Sequence, residues 1–454
     1  MYFNMAILLH QWFVEIKFER KFFMFFQKDI ETMPREQIEN LQVERLKWLV
    51  DYCIKNIPFY NDRLSKAGIT AEKIKSIKDI EHIPYTTKED IRDTYPFGLF
   101  GQPLKKIVRI HASSGTTGKP TVVGYTHKDL DNWSDCMARL CISGGATDDD
   151  IFQIAFGYGL FTGALGLHYG LEKIGATVVP TSSGNTERQI MLMQDFQTTG
   201  LVSTPSYAQY IGETAKEMGV LEKIDLRLGL LGSESCTEEM RDQIEKTLGL
   251  FVTDNYGMSE LMGPGVSGEC QYREGMHINE DHFLAEIIDS STLEVLPKGS
   301  QGELVITTLT KEGIPMLRYR TKDITQINYD VCKCGRTFAR MDKIKGRSDD
   351  MLKIRGVNVF PSQIESVLMV YENIAPHYQL VVTRENYSDA LEIKVELVDG
   401  TLLENYAELE NLRNKIHHDI KVILGIETKV SLVEYKSLER FQGKAKRILD
   451  LRNC

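Results

Sequence analysis

The sequence predicts an α/β protein, a large N-terminal domain of helices layered on a largely parallel sheet followed by a small α+β domain. Three observations carry that expectation. Short β-branched runs ("ATVVP", "GLVSTP", "RLGLLGS", "LFVTDNYG") alternate with helical stretches such as "ERQIMLMQDFQTT" and "PSYAQYIGETAKEMG". That alternation argues for a sheet whose ligands sit beyond the C-terminal strand ends. The 454 residues, 42% hydrophobic and 26% charged, exceed the size at which one core stops growing. Finally, the Gly-Arg and double aspartate of "KIKGRSDDMLKIRG" open a new β-then-α pattern, which puts a domain boundary at residues 346–350.

Taken in order, the chain opens with "MYFNMAILLHQWFVEIKFERKFFMFF", whose uninterrupted apolar stretches fall far short of the roughly 20 residues a bilayer span needs. It has neither the basic start nor the small-residue cleavage site of a secretory signal. Residues 1–30 read as an amphipathic helical extension, or as sequence upstream of the true start, since Met24 or Met33 could also begin the chain. In "IENLQVERLKWLVDYCIKN" apolar residues recur every three or four positions, which predicts an amphipathic helix ending before Pro58. "VRIHA" and "TVVGYT" read as a strand pair around a long polar tip. The α/β alternation follows, and near 282–327 "FLAEIID", "GELVITTLT" and "DITQIN" predict a more antiparallel stretch. The expected domains are thus 31–346 and 347–454.

A formal net charge of -10 gives no basic footprint for nucleic acid and no attraction to anionic membranes. Eight cysteines scattered over this length are not a secreted disulfide framework, so a reducing cytoplasm is expected.

The tip, "HASSGTTGKP" at 111–120, has the ingredients of a phosphate cradle. Glycines let successive N–H groups face one anion, hydroxyls add donors, and a lysine adds charge. Ser113 stands where a Walker-type loop has glycine and Pro120 follows the lysine, so it is not that loop. Further along, "YGMSE" ends in Glu260, a carboxylate suited to magnesium. "GSES" is a tight turn after a strand. Asp323 in "RYRTKD" could accept both hydroxyls of a ribose. Taken singly, each of these last three is more often an ordinary strand-end loop or turn.

Their order along the chain is more telling. "SSGTTGKP", "GSES", "YGMSE", "YRTKD", "GRSDD" and "RFQGKAKR" together resemble the adenylate-forming (ANL) acyl-CoA synthetase superfamily. Within it, "FGYGLFTGALGLHYGLEKIGATVVP", "YGMSELMGPG" and "DDMLKIRGVNVFPSQIE" look like the phenylacetate-CoA ligase family, over roughly residues 31–453. The resemblance implies a β-barrel-like subdomain in the large domain, a mobile C-terminal domain, a homodimer, and ATP, Mg2+ and coenzyme A as reactants.

Matched by position, it assigns Ser113, Ser114, Gly115, Thr116, Thr117, Gly118 and Lys119 to the β- and γ-phosphates of ATP. Ser233, Glu234 and Ser235 would border adenine. Asp254, Asn255, Tyr256, Gly257, Met258 and Ser259 would lie near adenine and the α-phosphate, and Glu260 would bind magnesium. Asp323 and Arg347 would hold the ribose, Asp349 would be the hinge, and Lys444 the mobile catalytic lysine. In a second domain pose Lys353, Arg355 and Gly356 would face the pantetheine path.

The implied reaction joins an aryl acid to coenzyme A through an acyl-adenylate, releasing AMP and pyrophosphate. Phe156, Tyr158 and Phe161, among glycines and with Gly232, could line the acyl slot; a buried core helix is the alternative for the aromatics. Phenylacetate fits the resemblance, and benzoate, a hydroxyphenylacetate or indoleacetate fits almost as well. Loading a carrier-protein thiol, or a non-catalytic nucleotide-binding scaffold, are the rival readings. The scaffold would predict a missing lysine or carboxylate, whereas Lys444, Glu260 and Asp323 are all in place.

Separately, Cys270, His277, Cys332 and Cys334 offer three sulfurs and an imidazole, a donor set that suits a structural tetrahedral Zn2+. Free buried thiols are the alternative.

Overall fold

The computed structural model describes residues 24–113, 120–348, 352–354, 357–385, 388–398, 406–440 and 447–452. The expected first helix is Arg35–Asn56; its buried positions Ile38, Gln42, Leu46, Leu49, Val50 and Cys53 keep the spacing of three and four. Ile57 is extended, as a residue before proline must be, and Pro58 restarts the chain as helix Pro58–Lys66 from its first turn. Of the expected extension over 1–30, the described part contributes three residues, 28–30, to the four-residue helix Lys28–Glu31. This piece is docked: Arg336 donates to Glu31 at 2.7 Å and to the Met24 carbonyl at 2.7 Å.

Strands β1 (Arg109–Ala112) and β2 (Val122–Tyr125) form an antiparallel hairpin around the polar tip. Strands β3 (Ile151–Ile154), β4 (Thr177–Val179), β5 (Gly200–Ser203), β6 (Leu228–Gly232) and β7 (Phe251–Met258) lie in the order β4-β3-β5-β6-β7, all parallel. Helices Gly163–Lys173, Thr186–Asp195, Pro205–Glu217 and Glu238–Leu248 make the crossovers.

The antiparallel region begins earlier than the sequence suggests. After β7 a four-residue turn, 259–262, brings β8 (Gly263–Glu269) back along it, because no crossover helix intervenes. The sheet then continues through β9 (Met276–Ile278), β10 (Phe283–Ile288), β11 (Gln301–Thr308), β12 (Tyr319–Asn328) and β13 (Arg340–Met341), with β14 (Gly346–Arg347) on β12. Among the described residues this is one 12-stranded sheet, with β14 lying off its main path, parallel in one half and antiparallel in the other.

The C-terminal unit opens with the hairpin β15 (Leu352–Ile354) and β16 (Val357–Val359). Strands β17 (Ile374–Glu385), β18 (Ser388–Leu397), β19 (Lys429–Val433) and β20 (Ile448–Asp450) then pair in the order β19-β18-β17-β20, with helices Pro361–Leu368 and Tyr406–Leu424. Its core, with Ile354, Leu380, Ile393, Ile416 and Ile420, is separate from those of the large unit. Gly346, at φ +158°, sits where a Cβ would be 2.3 Å from the Phe360 ring, so the joint between the units is packed tightly. Among the described residues no helix is long and apolar enough to cross a membrane.

Candidate active site

The strand ends that the alternating pattern points to converge on a polar region. Ser113 N–H donates to the Thr121 carbonyl at 3.0 Å, closing the β1–β2 stem. The tip itself, from Ser114 through Gly115, Thr116, Thr117 and Gly118 to Lys119, lies outside the described residues. Below it, His111 bonds the Leu160 carbonyl through Nδ1 at 3.0 Å, and burial holds its pKa below the usual imidazole range. Among the described residues its Nε2 and the Ser113 hydroxyl are buried without hydrogen-bond partners. Buried polar atoms left unpaired in this way are costly, and they sit at the root of the donor-rich tip.

At the end of β6, Gly232 has no room for a side chain, since a Cβ would lie 2.6 Å from the Asn255 carbonyl oxygen. Ser233 then takes a left-handed φ of +76°, and the Glu234 carboxylate accepts the Ser206 N–H at 2.6 Å, tying this turn to the start of helix Pro205–Glu217. Ser235 is exposed beside it. The Asn255 amide on β7 donates to the Leu231 carbonyl at 2.5 Å.

Strand β7 carries more of the expected site than a loop would, for it runs through Met258. Alternation along it sends neighbouring side chains to opposite faces. Asp254 is buried; desolvation and the nearby Glu269 push it up to about 7. Tyr256 reaches β12, where its hydroxyl donates to Asp323 at 2.6 Å. Gly257 allows the turn to close, because a Cβ there would lie 1.9 Å from the Gly263 carbonyl oxygen. Ser259 bonds Thr162 at 3.2 Å, and Glu260 is buried within the turn.

Asp323 lies within a strand, where the register of β11 and β12 slips between Glu303 and Val305 and Lys322 takes a φ of +68°. Such a bulge re-aims a side chain. It leaves Asp323 opposite Arg347 of β14, whose guanidinium donates to it at 2.9 Å. Tyr319, buried on the same strand, feels the charges of Glu260, Arg347 and Asp323 together, so these groups share one neighbourhood.

Asp349, Arg355, Gly356, Lys444 and the side chain of Lys353 lie outside the described residues. The flanks of Lys444 are firmly held. On one side Arg440 forms two 2.7 Å bonds to the fully buried Glu396. On the other, Arg447 pairs with Glu365 at 3.0 Å and lies 4.3 Å from the centre of the Tyr378 ring. Arg447 also feels Glu234 of the large unit.

The aromatic stretch divides. Phe156 is half-buried against the large core and packs on Gly163. The Tyr158 hydroxyl bonds His168 at 2.9 Å, whereas Phe161 is 48% exposed.

The four metal-ligand candidates do come together. Cys270, His277, Cys332 and Cys334 are buried, with ligand atoms all within 4.8 Å of one another. The Cys270–Cys332 sulfur separation of 3.7 Å matches the edge of about 3.8 Å that tetrahedral Zn–S bonds of ~2.3 Å require. His277 Nδ1 faces the Phe338 carbonyl at 3.4 Å, the usual outer partner of a ligating imidazole. Residues 270, 332 and 334 form a cluster of their own, apart from the larger cores.

Sequence reasoning missed several participants. Lys311 in "TLTKEG" reads as a turn lysine, yet it is fully buried and donates to the Leu261 carbonyl at 2.6 Å. His111 and Tyr125 flank the polar tip and Trp133 lies on the helix after it, yet their partners are remote in sequence and no pattern announces them.

Comparisons with known proteins agree with this geometry. Residues 87–310 match the family described as AMP-binding enzyme, and residues 356–452 the AMP-binding enzyme C-terminal domain. The chain is 48% identical to the phenylacetate-coenzyme A ligase of Thermus thermophilus over 94% of its own length and 100% of the relative's. It is 46% identical to that of Escherichia coli, over 93% and 97%. Among solved structures, a 2-hydroxyisobutyryl-CoA ligase in the postadenylation state with 2-HIB-AMP superposes with a TM-score of 0.90 at 28% identity, covering 95% of this chain and 94% of that one. The same ligase in its thioesterification state gives 0.70 at 29% identity, covering 95% and 93%.

Proposed function

The chain belongs to the phenylacetate-coenzyme A ligase family of AMP-binding enzymes, and from that premise we propose that it joins phenylacetate to coenzyme A at the expense of ATP. The observation that carries the reading is the convergence of Tyr256 and Arg347 on the buried Asp323, in the same neighbourhood as Glu260. A carboxylate held by two donors is oriented to accept ribose hydroxyls.

The chemistry needs such parts. A carboxylate is a poor electrophile, so one of its oxygens first attacks the α-phosphorus of ATP, forming the acyl-adenylate and expelling pyrophosphate. The thiolate sulfur of coenzyme A then attacks the carbonyl carbon, and AMP leaves with the electron pair of the broken C–O bond. Two anions must meet in the first step, so preorganised donors and cations supply most of the catalysis. The 113–119 loop with Lys119 would bind the outer phosphates and Asp323 with Arg347 the ribose. Lys444 would bridge the carboxylate and α-phosphate oxygens. Magnesium, held by Glu260, would offset phosphate charge. No protein nucleophile is needed, which fits the oriented but neutral His111.

The higher TM-score with the postadenylation structure than with the thioesterification one supports a pose of the C-terminal unit close to the former. Turnover then asks this unit to swing about Asp349, presenting 353–356 to coenzyme A. The thiol cluster supports a structural zinc, bound by three sulfurs and one imidazole with no open position for substrate. A cytoplasmic homodimer completes the reading.

The test is a two-part assay over a panel of phenylacetate, benzoate, hydroxyphenylacetates and indoleacetate. AMP and the acyl-CoA should form together with phenylacetate, and pyrophosphate should appear without coenzyme A only to about one equivalent. Release of pyrophosphate without any acyl-CoA would overturn the reading. Lys444→Ala should lose adenylation by at least ~100-fold while still converting supplied acyl-adenylate to thioester.

A further inference from the structure

The turn that carries Glu260 is held by its backbone carbonyls. Lys311 donates to the carbonyl of Leu261 at 2.6 Å and faces that of Glu260 at 3.4 Å. The Tyr125 hydroxyl donates to the Met262 carbonyl at 3.0 Å, and the Trp133 indole to the Pro264 carbonyl at 2.7 Å. The Tyr125 and Trp133 rings stack at 5.3 Å, and the Lys311 ammonium lies 4.8 Å from the centre of the Tyr125 ring.

All three side chains come from outside the turn. Tyr125 ends β2, the outgoing strand of the phosphate-loop hairpin, and Trp133 follows two turns later on helix His127–Gly144. Lys311 stands on the loop after β11, and that loop is itself tied to the helix. Asp129 accepts the N–H groups of Glu312 at 2.7 Å and Gly313 at 2.8 Å while capping the helix through Thr126 N–H at 2.9 Å. Gly313 permits this closeness, since a Cβ there would lie 2.3 Å from the Gly124 carbonyl oxygen.

A fully buried ammonium is expensive unless paired. Lys311 has the charges of Asp129 and Glu260 on either side, and it spends its donors on backbone rather than on a carboxylate. Among the described residues the Glu260 carboxylate forms no ion pair, and the hydrogen bonds of Lys311 go to the turn's carbonyls.

We infer that Lys311 is a positioning residue: with Tyr125 it locks the Glu260 turn to β2 and to the loop after β11, so that the metal carboxylate is presented to Mg·ATP in a fixed place. This rests on the assignment of Glu260 made above.

The test measures Mg·ATP binding by full-length protein calorimetrically, with Mg2+ titrated at fixed ATP, for wild type, Lys311→Met and Tyr125→Phe. Met keeps the length and removes the charge; Phe keeps the ring and removes one hydrogen bond. The Mg2+ concentration for half-maximal ATP binding should rise on the order of tenfold in Lys311→Met and about threefold in Tyr125→Phe, as expected for losing charge-assisted or neutral hydrogen bonds. The KM for the acid should stay within about twofold. Unchanged Mg2+ dependence in folded Lys311→Met, or in Tyr125→Phe if the first variant does not fold, overturns the inference. Wild-type protein that binds ATP without any Mg2+ dependence would instead overturn the Glu260 assignment, so the two failures are distinguishable.

Discussion

Tyr256 on β7 and Asp323 on β12 meet at 2.6 Å, hydroxyl to carboxylate, in a buried position that joins the parallel and antiparallel halves of the large unit. The same contact pushes the Tyr256 phenol up, after burial itself, so it remains a donor throughout the working pH range. One Asp323 oxygen is thereby occupied by Tyr256 and the other by Arg347.

Removing the Tyr256 hydroxyl leaves the Asp323 carboxylate under-supported. Tyr256→Phe should raise the KM for ATP roughly tenfold with a smaller change in kcat, the loss expected for one hydrogen bond to a charged group. Asp323→Ala should cost more, since it removes the proposed ribose acceptor itself. Steady-state kinetics with ATP varied decide this, and an unchanged KM for ATP in both variants would refute the ribose assignment.

Asp254 predicts a pH effect on stability. Its folded pKa stands near 7 against an ordinary 3.8, raised first by burial and then by Glu269. A raised folded pKa means stability present in full below about 4 and lost as the pH climbs towards 7. Asp254→Asn removes that loss. Its melting temperature, compared with wild type at pH 5 and pH 8, should gain by several degrees more at pH 8, reflecting a few kcal/mol of linkage. An equal difference at both values would exclude the effect.

The thiol cluster predicts metal-dependent stability without metal-dependent chemistry. Purified protein should carry about one zinc per chain, and Cys332→Ser or Cys334→Ser should lose it with a fall in melting temperature. Each remaining folded molecule should turn over at near the parental rate. Elemental analysis with a chelator series checks the first point, and activity normalised to folded protein the second.

The docking of the C-terminal unit predicts a change in the balance of half-reactions. Glu217 on the large unit accepts from Tyr435 at 2.7 Å and Lys436 at 2.8 Å, and Glu213 faces His377 at 3.2 Å. These pairs are partly exposed, so each is worth at most about 1 kcal/mol. Glu217→Ala should therefore slow single-turnover adenylation relative to thioester formation by no more than about fivefold, an effect that shrinks as salt is raised. A variant whose ratio is unchanged at low salt would show that these contacts do not hold the pose.

The sequence by itself determined the order of the chemistry. The donor-rich decapeptide, the turns after β6 and β7, and the α/β alternation are local patterns, and each is legible because turn chemistry and periodicity repeat over a few residues. The thiol cluster could be read in the same way from residue type, although Cys270 and Cys332 are far apart in the chain. Tertiary structure alone decided how the carboxylates are held. The bulge that turns Asp323 towards Arg347, the burial that raises Asp254, and the capture of the Glu260 turn by Lys311, Tyr125 and Trp133 depend on contacts between residues 15 to 137 positions apart, several of them to backbone carbonyls. A carbonyl is present at every residue and so leaves no signature in the sequence; only folding chooses which one a buried lysine will meet.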